Sequence, residues 1–249
     1  QILMFSATYT REIIELAKKI NPRAYVITPR TQEELVLDVI FQVKVDVSRV
    51  TGGKIQVLRD IYDYMTMQQS IVFVETREGA SKVARFMTES GLTVSVLSAD
   101  LKGFERDQVM SDFRKGISKV LITTNVLARG VDVPSVAVVV NYDLPMRRNG
   151  QRLEADPATY LHRIGRSGRF GRKGTAISFY ETPQDRQILR DIELYFMPSG
   201  QSMLTEWDAN DIEGLRKAVE ERPEGGEILP EALEGNAAAA PSISQLSSQ

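Results

Sequence analysis

The sequence contains no cysteine, which excludes disulfides, thiol catalysis and zinc sites built on cysteine ligands. It contains one histidine, His162, which excludes histidine-rich metal centres and any mechanism that needs two imidazoles. No apolar run approaches the roughly 18 residues of a membrane-spanning helix, so we expect no membrane insertion. The 31 basic and 33 acidic residues nearly cancel, so only a local cluster of charge could indicate a nucleic-acid partner.

The composition that remains is typical of a globular protein. Of the 249 residues, 42% are hydrophobic and 26% are charged. The chain opens inside the apolar stretch 1–5, without an initiator methionine or a signal-peptide pattern. Because proteolytic cleavage usually falls in exposed loops, a start within an apolar strand leads us to expect part of a longer protein.

Apolar strands alternate with helices along most of the chain. Residues 1–28 have the pattern strand, helix, strand, residues 29–36 that of a linker, and residues 37–200 repeat the alternation several times. This pattern predicts an α/β fold: a doubly wound, mostly parallel sheet with helices on both faces, whose ligands bind beyond the carboxyl ends of the strands. Strands are predicted at 1–5, 25–27, 39–45, 70–74, 94–97, 120–124, 136–142 and 176–180, and helices at 13–20, 54–65, 77–90, 104–114, 160–166, 184–195 and 211–221.

The C-terminal part has a different character. Residues 201–234 form an acidic, partly helical extension, with ten acidic and three basic residues between Glu206 and Glu234. Such a charge run is most simply a solvated surface. Residues 235–249 are mainly alanine, serine and glutamine, a composition that predicts a disordered tail.

The segment His162–Gly174 carries the clearest chemical signal. Arg163, Arg166 and Arg169 recur every third residue, and so do four glycines that begin at Gly165. Guanidinium groups bind phosphate oxygens with two parallel hydrogen bonds, and glycine lets the backbone approach a ligand closely. A solvated basic loop is the alternative, but the interleaved glycine and arginine register favours a phosphate site.

Three further segments are weaker signals when each is taken alone. Thr123–Asp132 follows a buried strand, where a hydroxyl and exposed amides could bind phosphate and Asp132 a ribose, although a structural turn is the alternative. Thr76 and Arg77 follow another strand and could contact a nucleic-acid backbone, or Thr76 could simply cap a helix. Ser6-Ala7-Thr8 alone is typical of a turn or a helix cap.

Together and in this order, these segments resemble motifs III, IV, IVa, V and VI of the DEAD-box RNA helicases. The resemblance covers residues 1–182 and implies two RecA-like lobes that bind ATP and clamp single-stranded RNA between them. Residues 1–28 resemble the end of the first lobe, and residues 37–200 resemble the C-terminal RecA-like lobe. Within the family, the segments Asn141–Pro145, Asn149–Gln151 and Ala155–Tyr160 are most similar to the mRNA-export helicases of the nuclear pore.

The resemblance also implies a role for individual residues. It makes Arg166 and Arg169 the arginine fingers on the γ-phosphate of ATP, and it places Gly130 and Asp132 on the nucleotide. The RNA backbone, or the contact between the lobes, would involve Thr76, Arg77, Arg106, Thr124 and Arg129. Ser6, Thr8 and His162 would couple the nucleotide state to the RNA grip. ATP with Mg²⁺ would be bound mainly by the first lobe, and no metal site is predicted in this chain.

The resemblance implies partners and a location as well. RNA would be bound through its backbone, and binding would therefore be independent of sequence. The export subfamily implies an activator protein associated with the nuclear pore, and a location in the cytoplasm and nucleus, including the pore.

The sequence departs from the family pattern at several positions. The glutamine usual in motif IVa is Gly103, although Arg106 is kept, and the frequent His-Gly-Asp before it is Ser98-Ala99-Asp100. The segment 146–159 is long for the family, so its Arg147, Arg148 and Arg152 are candidates for an extra partner surface.

Two motifs do not occur in this sequence. Gly52-Gly53-Lys54 is followed by isoleucine and lacks the upstream glycine of a phosphate-binding loop, and there is no Asp-Glu-Ala-Asp. We therefore expect this chain alone to be inactive in ATP hydrolysis. Two alternatives stay open: a free-standing, non-catalytic lobe that binds RNA or a partner, and a DNA helicase of the wider superfamily.

Overall fold

A computed structural model describes residues 2–4, 11–23, 25–27, 40–65, 69–125, 136–168, 173–200 and 202–221. Its helices are α1 (Arg11–Ile20), α2 (Gly53–Tyr64), α3 (Arg77–Glu89), α4 (Gly103–Arg114), α5 (Pro157–Ile164), α6 (Pro183–Phe196) and α7 (Ile212–Glu220). Its strands are β1 (Ile40–Asp46), β2 (Ser70–Phe73), β3 (Val94–Leu97), β4 (Val120–Thr123), β5 (Val138–Asn141), β6 (Met146–Asn149), β7 (Arg152–Ala155), β8 (Gly174–Tyr180) and β9 (Thr205–Asp208). Within these ranges no helix is both long enough and apolar enough to cross a membrane.

Seven strands form one sheet in the order β3-β4-β2-β5-β8-β1-β9. Every pair of neighbours is parallel; in the longest pairing, β1 runs beside β8 with Ile40 opposite Gly174. The predicted doubly wound α/β fold is confirmed. Strands β2, β4 and β5 are buried at every position, which explains their continuous apolar sequences.

Side chains that alternate along the strands fill two cores, one on each face of the sheet. One face packs against α2, α3 and α7, in a core that includes Val57, Val72 and Ile122. The other face packs against α4, α5 and α6, where Phe113 and Ile188 are buried. The sheet is therefore covered by helices on both sides, as the sequence predicts.

Local sequence fixes where several of these helices begin. The side chains of Thr76, Asp156, Thr182 and Asp211 each accept a hydrogen bond from a backbone amide in the first turn of the helix that follows. Caps of this kind typically stabilise a helix by about 1 kcal/mol. Proline stands at the first position of α5 and α6, where its missing amide hydrogen costs nothing.

Two short strands predicted near the N-terminus are not present. Residues 2–4 of the predicted strand 1–5 are exposed and form no strand, and Tyr25–Ile27 is also irregular, with Tyr25 90% and Ile27 83% exposed. An apolar run becomes a buried strand only where another strand pairs with it, and none of the described strands does so here. The helix predicted between them is confirmed as α1.

Two strand features were not predicted. Strands β6 and β7 form an antiparallel hairpin, separate from the main sheet, within the segment expected to be an insertion. Its two-residue turn is Gly150-Gln151, with a φ of 61° at Gly150, and glycine at the first turn position is a hairpin signal, which the prediction did not use. Strand β9 pairs in parallel with β1 inside the predicted acidic extension; its mostly exposed sequence, Thr205–Asp208, lacks an apolar run. The predicted tail 235–249 lies outside the described residues.

Candidate functional site

Several predicted site residues lie at one edge of the sheet. Because β3, β4 and β2 are parallel neighbours, the loops that follow them begin side by side. Thr76 and Arg77 follow β2, Thr124 follows β4, and the loop after β3 leads through Asp100 to Arg106 in α4. We call this group of residues the β3–β4–β2 edge. The fold therefore brings together four of the five residues that resemble RNA contacts.

At this edge Thr76 and Arg77 already have partners within the chain. The Thr76 hydroxyl accepts a hydrogen bond from the backbone amide of Gly79 at 3.0 Å, so the alternative of a helix cap is realised. Arg77 forms an ion pair with Asp100, and both side chains are more than half exposed. Such an exposed pair contributes little stability, so an incoming phosphate could replace Asp100 at the guanidinium.

Thr124 and Arg106 are less exposed than these two residues. Thr124 is buried, and its carbonyl oxygen lies 3.0 Å from the hydroxyl of Thr123, which also lies 2.9 Å from the carbonyl of Leu97. These contacts tie the ends of β3 and β4 together. Arg106 is half-buried, and its Nε is buried without a hydrogen-bond partner among the described residues. The edge thus combines hydroxyl and guanidinium groups, which suit a phosphate backbone.

Arg163, in contrast, lies in the protein interior. Its side chain is 1% exposed. Its Nη1 donates to the Asn141 side chain at 3.1 Å and to the carbonyl of Asp143 at 2.7 Å, while Nε and Nη2 both donate to Asn125 Oδ1. The guanidinium also lies 4.8 Å from the centre of the Phe73 ring, a cation–π distance.

This environment corrects the expectation that Arg163 points with Arg166 and Arg169 toward phosphate. Burial lowers the pKa of Arg163 to about 10, although the nearby carboxylates, chiefly that of Asp143, act to raise it. The group therefore remains charged at neutral pH. The sequence does contain a signal for the burial of Arg163. Helical spacing puts it on the same face of α5 as Tyr160 and Ile164, and that face is buried.

Asp143 connects Arg163 to two other segments. Its carboxylate accepts a hydrogen bond from the backbone amide of Glu75 at 2.9 Å and forms an ion pair with Lys54 at 3.0 Å. Lys54 also lies 5.6 Å from the centre of the Tyr142 ring. The lysine of the Gly-Gly-Lys sequence noted above is therefore paired with a carboxylate of the same lobe. Sequence reasoning did not identify Asn125, Asp143 or Lys54 as site residues.

Arg166 lies in the turn after α5, with its backbone held on both sides. Its amide donates to the carbonyl of Arg163, and its carbonyl accepts from the amide of Val136, each at 3.0 Å. Arg166 and His162 are both half-buried. The guanidinium of Arg166 thus extends from a fixed point of the backbone.

Gly168 and Gly174 of this segment let two parts of the backbone pack closely against each other. Gly168 has a φ of 69°, which a residue with a side chain rarely adopts. A Cβ on Gly174 would lie 2.5 Å from the Gly168 nitrogen, closer than atoms can approach. For this pair the structure corrects the expectation that glycine makes room for a ligand. Gly171, another of the four glycines, lies outside the described residues.

Half of the predicted site residues lie outside the described residues. They are Ser6, Thr8, Arg129, Gly130, Asp132 and Arg169. In the part of the chain that is described, no group of three or more histidine, aspartate or glutamate side chains could hold a metal ion.

Comparison with known proteins decides the family. A model of the helicase conserved C-terminal domain matches residues 53–171. The solved C-terminal domain of the DEAD-box protein Dbp5 is 46% identical, with a TM-score of 0.66, over 74% of this chain and 99% of that structure. This chain belongs to the DEAD-box helicase family. The curated relative ATP-dependent RNA helicase DBP5 of Saccharomyces cerevisiae is 46% identical over 219 residues, 88% of this chain.

The chain spans only 44% of the length of that relative, less than half. S. cerevisiae Dbp5 bound to RNA and ADP BeF3 is 44% identical, with a TM-score of 0.77, over 87% of this chain and 53% of that one. A variant of its C-terminal domain bound to a Gle1 variant and IP6 is 45% identical, with a TM-score of 0.63, over 73% of this chain and 97% of that one.

Proposed function

We propose that this chain is the C-terminal lobe of an ATP-dependent RNA helicase that clamps and remodels RNA or RNP during mRNA export. The observation that supports this most directly is the convergence of Thr76, Arg77, Arg106 and Thr124 on the β3–β4–β2 edge. In the proposed organisation, residues 1–28 end the first lobe, 29–36 form a linker and 37–200 form the C-terminal lobe. Residues 201–234 are an extension, and 235–249 are a tail.

RNA binds at this edge, through its backbone. The groups present are the guanidinium groups of Arg77 and Arg106 and the hydroxyls of Thr76 and Thr124. The resemblance adds Arg129, which follows β4 in the sequence. These groups read phosphate and sugar oxygens and carry no base information. Binding is therefore independent of sequence and weakens as salt concentration rises.

ATP binds between this lobe and the first lobe, which supplies most of the contacts to Mg²⁺ and the phosphates. When bound, ATP supplies the phosphoryl group that is transferred, and Mg²⁺ neutralises its negative charge. Arg166 fits the role of a finger, because its backbone is held by Arg163 and Val136 and its guanidinium starts from a fixed position. Arg169 is the second finger, and Gly130 and Asp132 bind the nucleotide, with Asp132 on the ribose.

Ser6, Thr8 and His162 couple nucleotide binding to RNA binding at the contact between the lobes. The support for these roles is the resemblance of Ser6-Ala7-Thr8 and of the His162 segment to motifs III and VI of the family.

An activator protein of the nuclear pore binds this lobe, which places the protein in the cytoplasm and nucleus and at the pore itself. The support comes from the resemblance to the export subfamily and from the solved complex of a Dbp5 C-terminal domain with Gle1 and IP6. This chain covers 97% of the Dbp5 domain in that complex.

Substitution of the fingers tests the catalytic part of the proposal. In the complete protein, Arg166→Gln or Arg169→Gln should lower RNA-stimulated ATP hydrolysis by about 10³-fold or more, because charge on the transferred phosphoryl group is no longer neutralised. The matched control is Arg190→Gln, an exposed arginine on α6. The melting temperature of each variant shows whether folding is retained.

Two results would contradict the proposal. Turnover that survives both substitutions would mean that these arginines are not fingers. RNA-stimulated hydrolysis by the present chain alone would contradict the assignment of a single lobe. The grouping of Thr76, Arg77, Arg106 and Thr124 at the β3–β4–β2 edge also suits a second candidate, a free-standing lobe that binds RNA or a partner without catalysis. Sequencing the transcript 5′ of the Gln1 codon discriminates the two, because only a helicase encodes a phosphate-binding loop and a DEAD sequence upstream.

A further inference from the structure

A chain of short contacts runs through the interior from the β3–β4–β2 edge to the turn of Arg166. Asn125, which accepts two hydrogen bonds from Arg163, directly follows Thr124. Asp143, whose carbonyl accepts from the same guanidinium, holds the amide of Glu75. Glu75 directly precedes Thr76, so both connections end beside a proposed RNA contact.

The other end of this chain of contacts lies beside the proposed finger. Arg163 belongs to the last turn of α5, and its backbone carbonyl accepts the amide of Arg166 at 3.0 Å. One residue thus contacts the RNA side with its side chain and the nucleotide side with its backbone.

Packing alone does not account for a charged group at this position. Burying a charged group costs free energy because the group loses its hydration, and an apolar side chain would not carry that cost. What an apolar residue could not supply is a planar fork that donates in fixed directions to Asn125, Asn141 and the Asp143 carbonyl at once.

We infer that Arg163 is a positioning residue, which with Asp143 and Lys54 fixes the distance between the RNA-contact segments and the turn of Arg166. This inference rests on the proposed function. Lys54 acts by holding the Asp143 carboxylate, so that the Glu75 amide and the Asp143 carbonyl keep their places. When RNA fixes the segments around Thr76 and Thr124, the contacts through Arg163 fix α5, and with it the start of the finger.

The test uses the complete protein, expressed from its own gene, and compares Arg163→Lys and Lys54→Met with the unsubstituted protein. Arg163→Lys keeps the charge but replaces the planar guanidinium, which donates from three nitrogens, by a single nitrogen. Lys54→Met keeps the apolar stem but removes the ion pair. The control is Lys115→Met, since Lys115 is exposed and has no ion pair with any described residue. All assays are run at a temperature at which every variant is folded, as judged by its thermal melt.

We expect RNA-stimulated kcat to fall about tenfold to a hundredfold in Arg163→Lys, because small misplacements of a catalytic group have effects of this size. In Lys54→Met the same kcat should fall several-fold, and in the control Lys115→Met it should be unchanged. KM for ATP should change less than kcat, since the finger acts mainly after ATP has bound. The double variant should lose no more than Arg163→Lys alone, because both residues act through Asp143.

A second measurement does not depend on catalysis. Hydrogen–deuterium exchange without nucleotide should become faster in peptides that cover residues 74–79 and 164–168 in both variants, and should not change in the control. The inference is overturned if kcat of Arg163→Lys stays within about twofold of that of the unsubstituted protein. It is also overturned if the loss of kcat in the double variant equals the product of the losses in Arg163→Lys and Lys54→Met. Failure of the proposed function would look different, because the unsubstituted protein would then show no RNA-stimulated hydrolysis.

Discussion

Arg163 and the arginines of the β6–β7 hairpin lie within 16 residues of one another but differ completely in environment. Arg163 is 1% exposed and donates four hydrogen bonds. Arg147, Arg148 and Arg152 are exposed, and the 63% exposed side chain of Arg147 makes a loose ion pair of 3.6 Å with Glu154. All four arginines lie between positions 147 and 163 of the sequence. Composition therefore does not show which of them support the fold and which face solvent.

The difference follows from the elements that carry them. Arg163 falls on the face of α5 that packs against the sheet, where its charge has lost water and depends on protein partners. The hairpin is a sheet of its own, and its three arginines are exposed, so their charges keep their water and need no partner. Loss of these interactions should therefore lower the free energy of unfolding strongly at Arg163 and hardly at all in the hairpin.

The largest expected effect is that of removing the buried guanidinium. Arg163→Ala should lower the free energy of unfolding by about 3–5 kcal/mol, because Asn125, Asn141 and the Asp143 carbonyl lose their donor and a cavity remains. Urea denaturation of this chain, followed by circular dichroism, measures the loss. A change below about 1 kcal/mol would mean that the buried contacts are not formed in solution.

A smaller effect is expected from tight backbone packing near the same turn. In Gly174→Ala, the new Cβ would lie 2.5 Å from the Gly168 nitrogen, and we expect a loss of about 1–3 kcal/mol from the forced shift. Gly103→Ala is the matched control, because no atom lies within 4 Å of a Cβ placed there. Helix propensity should make that variant neutral or more stable by roughly 0.5–1 kcal/mol. Equal melting temperatures for the two variants would contradict this packing.

The sequence predicts those parts of the fold that depend on neighbouring residues. The continuous apolar runs at β2 and β4 and the cap at Thr76 are local patterns, and the structure contains all of them. Gly150 at the turn was also a local signal, and the hairpin could have been predicted from it. Tyr25–Ile27 shows the limit of such patterns, because an apolar run indicates a strand only where a partner strand exists.

The role of Arg163 could not be predicted in the same way. Its partners Asn125 and Asn141 are 38 and 22 residues away in the sequence, and only the order of β4 and β5 in the sheet brings them near α5. The clustering of Thr76, Arg77 and Thr124 also depends on strand order, but there the resemblance to a known family supplied the grouping.

The smallest effect should come from the hairpin. Replacing Arg147, Arg148 and Arg152 together by glutamine removes three exposed charges and one loose ion pair, so the free energy of unfolding should change by no more than about 0.5 kcal/mol. The hydrogen bond between the side chains of Asn149 and Glu154, at 2.9 Å, does not involve these arginines and should persist. The same urea titration measures the change, with Arg163→Ala as the contrasting variant. A loss above about 1 kcal/mol would show that the hairpin arginines support the lobe, and the contrast between buried and exposed arginines would then no longer hold.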